Sequence, residues 1–329
     1  MLKKTTKKLL QTSKNLLAFS AGVDSTALFF ILQENNIPFD IAIVDYGLRE
    51  QSKEEIAYAK KLAHKYNLEC FVKEAAPIEK NFEAQARKIR YSFFTELITS
   101  RNYDKLLTAH HLGDRFEWFL MQFCKGAGCI ELSGMQEIEL REHYKLIRPL
   151  LHLDKQELLA YLNKNNLHYF EDASNSDEKY TRNYFRKAHT QPLLQKYLSG
   201  IKKSFDYIDE DRKALINESE TKQINQLACF KHKDKRSDIY HIDKYLKSIG
   251  HIMTKEERKL LKEQKSLIVG RKYIVTQVGQ YICIAPYIEA QNLTKAFKEK
   301  MRLLEIEPKL RGYLAEDVEA EAFLSLLLA

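Results

Sequence analysis

The sequence predicts an α/β fold built on a doubly wound, mainly parallel sheet with helices on both faces. Two observations support this prediction. From residue 14 to about residue 150, strand-like and helix-like segments alternate with the lengths typical of crossover units. Within that region, the apolar run 16–19 ends in small and hydroxyl residues, and an apolar segment begins at once. A strand, a tight turn and a helix N-terminus are expected there, a geometry suited to holding an anion.

The remaining elements of the sheet follow in order. Strands are predicted at 15–19, 41–45, 69–73, 105–109 and 144–148, and helices at 25–35, 52–66, 81–100 and 114–124. Ligands of such sheets lie beyond the carboxyl ends of the strands. Ser20, Asp45 and the pair His110-His111 all follow strand ends, so they are expected to face one crevice.

Beyond Pro149 the pattern predicts a capped helix at 154–165, a polar loop at 171–177 and a long helical connector from Pro192 to about Gln226. The remainder is expected to form a smaller α+β domain. Its predicted elements are a helix that starts at Thr254 with a capping box, a hairpin of 268–275 and 281–286, and a helix at 294–304. The predicted domains are 1–192 (catalytic), 193–226 (helical connector) and 227–329 (C-terminal).

Composition limits the class of protein. The 329 residues are 44% hydrophobic and 30% charged, with no apolar run long enough for a membrane span and no signal-peptide pattern. Five scattered cysteines form no CxxC and indicate neither a disulfide framework nor a zinc site. We therefore expect a soluble cytoplasmic protein without a membrane partner. The net charge of +8 and several basic clusters suit a polyanion, although a solvated surface would also explain them.

The turn after the first strand carries Ser20, Ala21, Gly22, Val23, Asp24 and Ser25. It is neither a Walker A loop nor a GxGxxG turn. Its hydroxyls, glycine and single carboxylate suit a pyrophosphate with a magnesium ion, although an ordinary βα turn with a side-chain cap is the alternative. The turn resembles the SGGxDS signature of the PP-loop ATP pyrophosphatases, an adenine nucleotide alpha hydrolase-like fold. Ala21 departs from the usual glycine, and alanine tolerates a positive φ less well.

Further motifs are similar to those of the tRNA(Ile)-lysidine synthetase family. Residues 44–49 resemble VDHGLR with Tyr46 in place of histidine. The resemblance implies that Asp45 is a catalytic residue beside the nucleotide, although a strand-terminal aspartate that caps a turn is the alternative. Residues 83–91 match E…ARxxRY, with Arg87 and Arg90 placed to hold phosphate or to lie on a solvated face.

The strongest match is the stretch 107–117, which resembles TAHHxxDQxET. His110, Asp114 and Glu117 would fall at i, i+4 and i+7 if the stretch is helical, and the resemblance implies a catalytic role for them. Their carboxylates could select the ammonium of lysine or accept its proton. A metal site lacks a third strong ligand, and a capping role is open for Asp114. Departures from the family pattern occur at Gly113, Arg115 and Trp118.

Three later stretches complete the resemblance, which extends from residue 16 to about residue 192. Residues 126–135 match GxGxxGLxGM in part, residues 148–150 match RPL, and residues 171–175 with Arg182 and Arg186 resemble EDxSN…RNxxR. The resemblance implies that the last two arginines bind the tRNA backbone or the substrate loop.

The resemblance implies a cytoplasmic ligase. ATP, with Mg²⁺ on Asp24, would adenylate C2 of the wobble cytidine (cytidine 34) in a CAU-anticodon tRNA(Ile), and L-lysine would displace AMP to give lysidine. Codon reading would thereby change from AUG to AUA. Two alternatives stay open. A 2-thiolating PP-loop enzyme would need a catalytic cysteine pair or a cluster, and a catalytically impaired tRNA-binding homologue would fit the departures at 21, 46, 113 and 118. A homodimer is also left open.

Overall fold

The computed structural model describes residues 1–47, 51–141, 143–171 and 181–328, which divide into two compact units, Met1–Asp209 and Glu210–Ala329. The strands of the first unit are β1 Asn15–Ala18, β2 Phe39–Asp45, β3 Cys70–Glu74, β4 Lys105–Leu107, β5 Ile138–Leu140 and β6 Lys145–Ile147. Its helices are α1 Lys4–Gln11, α2 Val23–Glu34, α3 Gln51–Tyr66, α4 Phe82–Arg101, α5 Leu112–Phe123, α6 Cys129–Leu132, α7 Lys155–Lys164 and α8 Thr181–Phe185. A further helix, α9 Gln191–Leu215, begins in this unit and ends in the second. A π-helical segment, Arg186–Thr190, joins α8 to α9.

The first unit has the predicted doubly wound, mainly parallel sheet. Its strand order is β3-β2-β1-β4-β6-β5, and within the described residues only β5 pairs antiparallel. The chain winds from β1 outward to β3 and then returns to the other side of β1 at β4, so the switch point lies between β1 and β4. All five predicted strands and four predicted helices are present with small shifts at their ends, whereas the edge strand β5 was not predicted.

Helix α2 is the most deeply buried element of this unit. Nine of its twelve residues are buried, because it is apolar on nearly every side and packs between the sheet and α7. The ring of Phe29 meets those of Phe19, Phe30 and Phe39 at centroid distances of 5.8, 5.2 and 5.2 Å. This packing fixes the position of the helix start, where the turn after β1 ends.

The second unit contains a five-stranded antiparallel sheet of order β7-β8-β11-β10-β9. The strands are β7 Thr221–Ile224, β8 Leu227–Lys231, β9 Ser266–Val269, β10 Tyr273–Val278 and β11 Tyr281–Pro286, and the helices are α10 Lys235–Ser248, α11 Lys255–Glu263, α12 Lys295–Leu303, α13 Pro308–Glu316 and α14 Val318–Leu328. The side chains of Cys229 and Cys283 lie opposite each other on β8 and β11, with their Sγ atoms 2.9 Å apart. The three-part division at 192 and 226 stays a prediction.

Two predictions for this unit were wrong. The helical connector was extended to about Gln226, but α9 ends at Leu215 and residues 221–224 form β7, which pairs with β8 around a turn where Asn225 has a φ of 47°. The single strand predicted at 268–275 is the end of β9 and the start of β10, because Gly270 and Arg271 both have positive φ and reverse the chain. The capped helix from Thr254 and the helix near 294–304 are confirmed. No helix in the described ranges is long and apolar enough to cross a membrane.

The turn after β1 places Ala21 in the left-handed region, with a φ of 59°, and buries it completely. Its carbonyl accepts a hydrogen bond of 2.9 Å from the backbone N–H of Phe170, and Gly22 forms a parallel bridge with the same residue. Alanine therefore adopts the backbone conformation that glycine adopts more readily, and neighbouring backbone hydrogen bonds hold it there.

The strain at residue 21 is testable by two substitutions. Ala21→Val should lower the free energy of unfolding by about 2–3 kcal/mol, because a β-branched side chain is disfavoured at this φ and the site is full. Ala21→Gly should stay within about 1 kcal/mol of the parent, since relief of strain offsets the greater freedom of the unfolded chain. Urea unfolding of the three proteins measures both effects. Equal stability of the two variants would contradict the assigned conformation.

Candidate active site

The hydroxyls of the turn face each other at the carboxyl end of β1. The Ser20 and Ser25 Oγ atoms are 3.1 Å apart, the Ser20 N–H donates to Ser25 Oγ at 3.2 Å, and the Ser25 hydroxyl donates to the Gly22 carbonyl at 3.2 Å. Gly22 is the N-cap residue of α2, and among the described residues no side chain caps this helix start. The first amides of α2 and the helix dipole are thus directed at the crevice, where they favour a phosphate.

Asp24 adds one carboxylate in the first turn of α2. Burial raises the pKa of Asp24, against the opposing effect of His111 and then Lys155. The Oδ1 atom is buried and has no hydrogen-bond partner among the described residues. A buried carboxylate oxygen beside the phosphate-facing turn has the hard-donor chemistry that Mg²⁺ prefers, so Asp24 fits a metal ligand. The described residues contain no group of three His, Cys, Asp or Glu side chains that could hold a metal by themselves.

His111 connects the two carboxylates of the crevice. Its Nδ1 accepts a hydrogen bond of 2.9 Å from the Gly113 N–H and thereby caps α5, while Asp114 Oδ2 accepts one of 3.0 Å from the His111 N–H. Because Nδ1 accepts this hydrogen bond, the ring N–H is on Nε2, which lies 3.8 Å from Asp24 Oδ2 and 3.7 Å from Asp114 Oδ2. A Cβ at Gly113 would lie 2.6 Å from the ring, so a glycine at this position leaves room for the imidazole that caps the helix.

Asp114 and Glu117 form an ion-pair cluster with Arg182 and Arg186. The buried Glu117 accepts from Arg182 Nε through Oε1 and from Arg186 Nε at 2.9 Å through Oε2. Arg182 also reaches Asp114 Oδ1 at 3.3 Å. Burial alone would raise the pKa of Asp114, but His111, His110, Arg182 and the hydrogen bond from the His111 N–H together hold it below its usual range. Two acids and two guanidinium groups thus balance each other in the crevice.

His110 lies beside this cluster and is neutral at pH 7. Its Nδ1 is 2.9 Å from Thr108 Oγ1, and burial lowers its pKa to about 4 despite the opposing charge of Asp114. A neutral imidazole can accept a proton, although a pKa this low makes it a weak base at pH 7.

The other predicted site residues lie on neighbouring elements. Asp45, at the end of β2, accepts a hydrogen bond of 2.8 Å from the Gly47 N–H, the capping geometry of the alternative interpretation. Tyr46 donates to the Ala86 carbonyl at 3.1 Å, which anchors it on α4 instead of leaving it in the crevice. Arg87 and Arg90 are exposed on α4, and Arg87 lies over the Tyr91 ring at 4.7 Å. Leu48, Arg49 and the predicted loop residues 172–177 lie outside the described residues.

Sequence reasoning missed two charged residues of this region. Lys155 begins α7 beyond the carboxyl end of β6, and its charge acts on Asp24. Arg115, singled out only as a departure from the family pattern, is buried; it pairs with Asp209, donates to the Ser133 carbonyl and lies over the Phe205 ring at 4.3 Å. The signal for Lys155 was the Asp154 cap just before it, at the start of a helix that follows a strand end.

The chain is similar to known proteins over almost its whole length. Residues 1–193 match the family model described as a PP-loop domain. The chain is 41% identical to a tRNA(Ile)-lysidine synthase of Campylobacter jejuni over 308 residues, which cover 93% of this chain and 94% of that protein. Proteins of the same name from Wolinella succinogenes and Helicobacter pylori are 42% and 40% identical, over 92% and 93% of this chain and 93% and 90% of their own lengths.

One solved structure shows the same fold. A U34-tRNA thiolase, NcsA, of Methanococcus maripaludis, solved with its 4Fe-4S cluster, superposes with a TM-score of 0.52 over 66% of this chain and 81% of its own length. At 18% sequence identity, that similarity concerns the fold alone.

The buried neutral state of His110 makes stability depend on pH. The unfolded chain binds a proton near pH 6.5 and the folded site only near pH 4, so stability is lost as the pH falls through that window. The free energy of unfolding of the parent should therefore drop more between pH 7 and pH 4 than that of His110→Gln, by at most about 3 kcal/mol. Urea unfolding across this range measures the difference. His64→Gln, on the exposed side of α3, is the control and should follow the parent; parallel curves for parent and His110→Gln would contradict the assignment.

Proposed function

Because this chain belongs to the tRNA(Ile)-lysidine synthase family and carries its PP-loop domain, we infer that it is an ATP-using ligase that forms lysidine on tRNA(Ile). The observation that carries the proposal in this molecule is a juxtaposition at the switch point of the sheet. The anion-directed start of α2 and the acid cluster of α5 meet there, joined by His111, which lies within 4 Å of both Asp24 and Asp114. One crevice thus offers a site for a departing pyrophosphate beside a site for an amine.

The first step activates a poor leaving group. The C2 oxygen of the wobble cytidine in a CAU anticodon attacks the α-phosphorus of ATP, and the bond from that phosphorus to the pyrophosphate oxygen breaks. Negative charge accumulates on the pyrophosphate, where Ser20, Ser25 and the first amides of α2 bind it. Lys155 adds a positive charge near the same carboxylate, Asp24. Mg²⁺ bound by Asp24 would neutralise further charge on the phosphates.

The second step joins lysine to the base. The ε-amino nitrogen of L-lysine attacks C2, the C2–O bond breaks, AMP leaves and the amine loses a proton. Asp114 is ionised at pH 7 and suits the ammonium of lysine, while both carboxylate oxygens of Glu117 bind arginines. We therefore assign Glu117 the role of holding Arg182 and Arg186 in place. Two groups are candidates for the acceptor of the amine proton, Asp114 and the neutral His110.

The RNA is held mainly through its backbone. The net charge of +8 favours a polyanion, and Arg87 and Arg90 on α4 present exposed guanidinium groups that can pair with phosphates. We also assign tRNA binding to the second unit, as the tRNA-binding domain, and place the enzyme in the cytoplasm with its substrates. The oligomeric state, monomer or homodimer, is a question for analytical ultracentrifugation.

The two alternatives are less well supported. Relatives of 40–42% identity over almost the whole chain carry the lysidine synthase name, whereas the thiolase shares 18% identity. Of the four departures that suggested an impaired homologue, those at Gly113 and Tyr46 have local structural explanations.

Mass spectrometry of the nucleosides tests the activity directly. Incubation of a CAU-anticodon tRNA(Ile) with ATP, Mg²⁺ and lysine should convert one cytidine to lysidine, with AMP and pyrophosphate released in equal amounts. Omission of lysine should prevent lysidine formation. Incorporation of labelled sulfur without lysine would establish the thiolation alternative instead.

Asp24 provides the sharpest test of the first step. Asp24→Asn keeps the size of the side chain but removes its charge. The rate of adenylation, measured as pyrophosphate release, should therefore fall by roughly a hundredfold or more. tRNA binding, measured by gel retardation, should stay within about threefold of the parent, because phosphate contacts dominate RNA affinity. Glu34→Gln, at the far end of α2, is the matched control and should keep both properties. Full adenylation by Asp24→Asn would show that the carboxylate and its metal are misassigned.

A further inference from the structure

One aromatic side chain of α5, that of Trp118, takes no part in the two chemical steps. Trp118 is 43% exposed, although an indole is among the largest apolar groups a protein can bury. It follows Glu117 directly and lies one helical turn beyond Asp114, about 6 Å further along the α5 axis and on the same face of the helix. An exposed ring on the helix face that carries Asp114 is accessible to a substrate bound at that carboxylate.

The orientation of the indole is restricted from one side. Gly134 has a φ of 60°, and a Cβ at that position would lie 2.8 Å from Trp118 Cδ1. The backbone of the Gly134 turn therefore lies against the edge of the ring and limits its rotation. Within the described part of the chain, no other aromatic ring or cationic side chain stacks on the indole. The ring is thus held at its edge while its face has no stacked partner among these residues.

The surroundings favour a nucleobase over an apolar protein partner. Arg182 and Arg186 bind Asp114 and Glu117, so guanidinium groups lie along the same stretch of α5 that carries Trp118. A flat aromatic face beside guanidinium groups is the combination that binds single-stranded RNA, because bases stack on the ring while cations attract the backbone. An apolar docking surface would instead lack charges close to its centre.

We propose that Trp118 is a stacking platform for an unpaired base of the anticodon loop, next to the cytidine that reacts. This inference rests on the proposed function, since it places a base of that substrate. Stacking would fix the loop against α5 and so hold the reacting base between the helix start of α2 and Asp114. The threonine that the family pattern has at this position offers no aromatic face for such stacking.

The spectroscopic test is direct, because Trp118 is the only tryptophan in the sequence. Titration of the protein with an RNA stem-loop that carries the CAU anticodon should quench the tryptophan emission and protect it from acrylamide. Unchanged emission and unchanged acrylamide quenching at saturation, with binding demonstrated by gel retardation, would overturn the proposal. Absence of binding in both measurements would overturn the proposed function and this inference with it.

Kinetics separate stacking from a structural role. Trp118→Ala should raise the KM for tRNA by roughly tenfold to a hundredfold, the range expected for one lost base–aromatic stack, while the KM values for ATP and lysine stay unchanged. Trp118→Phe should restore the KM for tRNA to within about threefold of the parent. Phe123→Leu, which removes an exposed ring from another face of α5, is the matched control and should behave as the parent. Equal KM values for Trp118→Ala and Trp118→Phe would contradict stacking.

Discussion

Burial of α2 is the constraint on which the site depends. The helix packs into the core on nearly every side, with Phe29 at the centre of an edge-to-face aromatic cluster. Each buried aromatic side chain contributes about 1.5–3 kcal/mol, so several together exceed the 1–2 kcal/mol that a left-handed alanine costs. The core can therefore hold Ala21 in a strained conformation and keep the amides at the start of α2 directed into the crevice.

Most of the first unit could be predicted from the sequence, because strand-like and helix-like segments alternate along it and each segment shows its own pattern of apolar residues. The short edge strand β5 could not, since its three residues are mostly exposed and it depends on pairing with β6. In the second unit, β9 and β10 were merged because the turn between them contains Arg271 in a left-handed conformation, which arginine rarely adopts. Local sequence carries little information about such turns.

The residues of the candidate site were largely predictable, but their pairing was not. Strand ends and spacing brought attention to Ser20, His110 and Asp114, and the structure places these side chains at the switch point. Arg182 and Arg186 lie 65 and 69 residues after Glu117 in sequence. The sequence pattern predicts that the glutamate and the arginines each contact the substrate. In the structure they bind each other. Arginines held in this way are ordered before a substrate arrives, which lowers the entropic cost of binding it.

The close approach of His111 to Gly113 has a consequence for how this site can evolve. Any side chain at position 113 would collide with the imidazole that caps α5, so a larger residue there is acceptable only after the cap itself has changed. Substitutions at the two positions are therefore epistatic: each is harmful or neutral according to the other. A homologue with a larger residue at position 113 and the same histidine at position 111 must hold that imidazole in another rotamer, and so it must begin this helix with a different capping geometry.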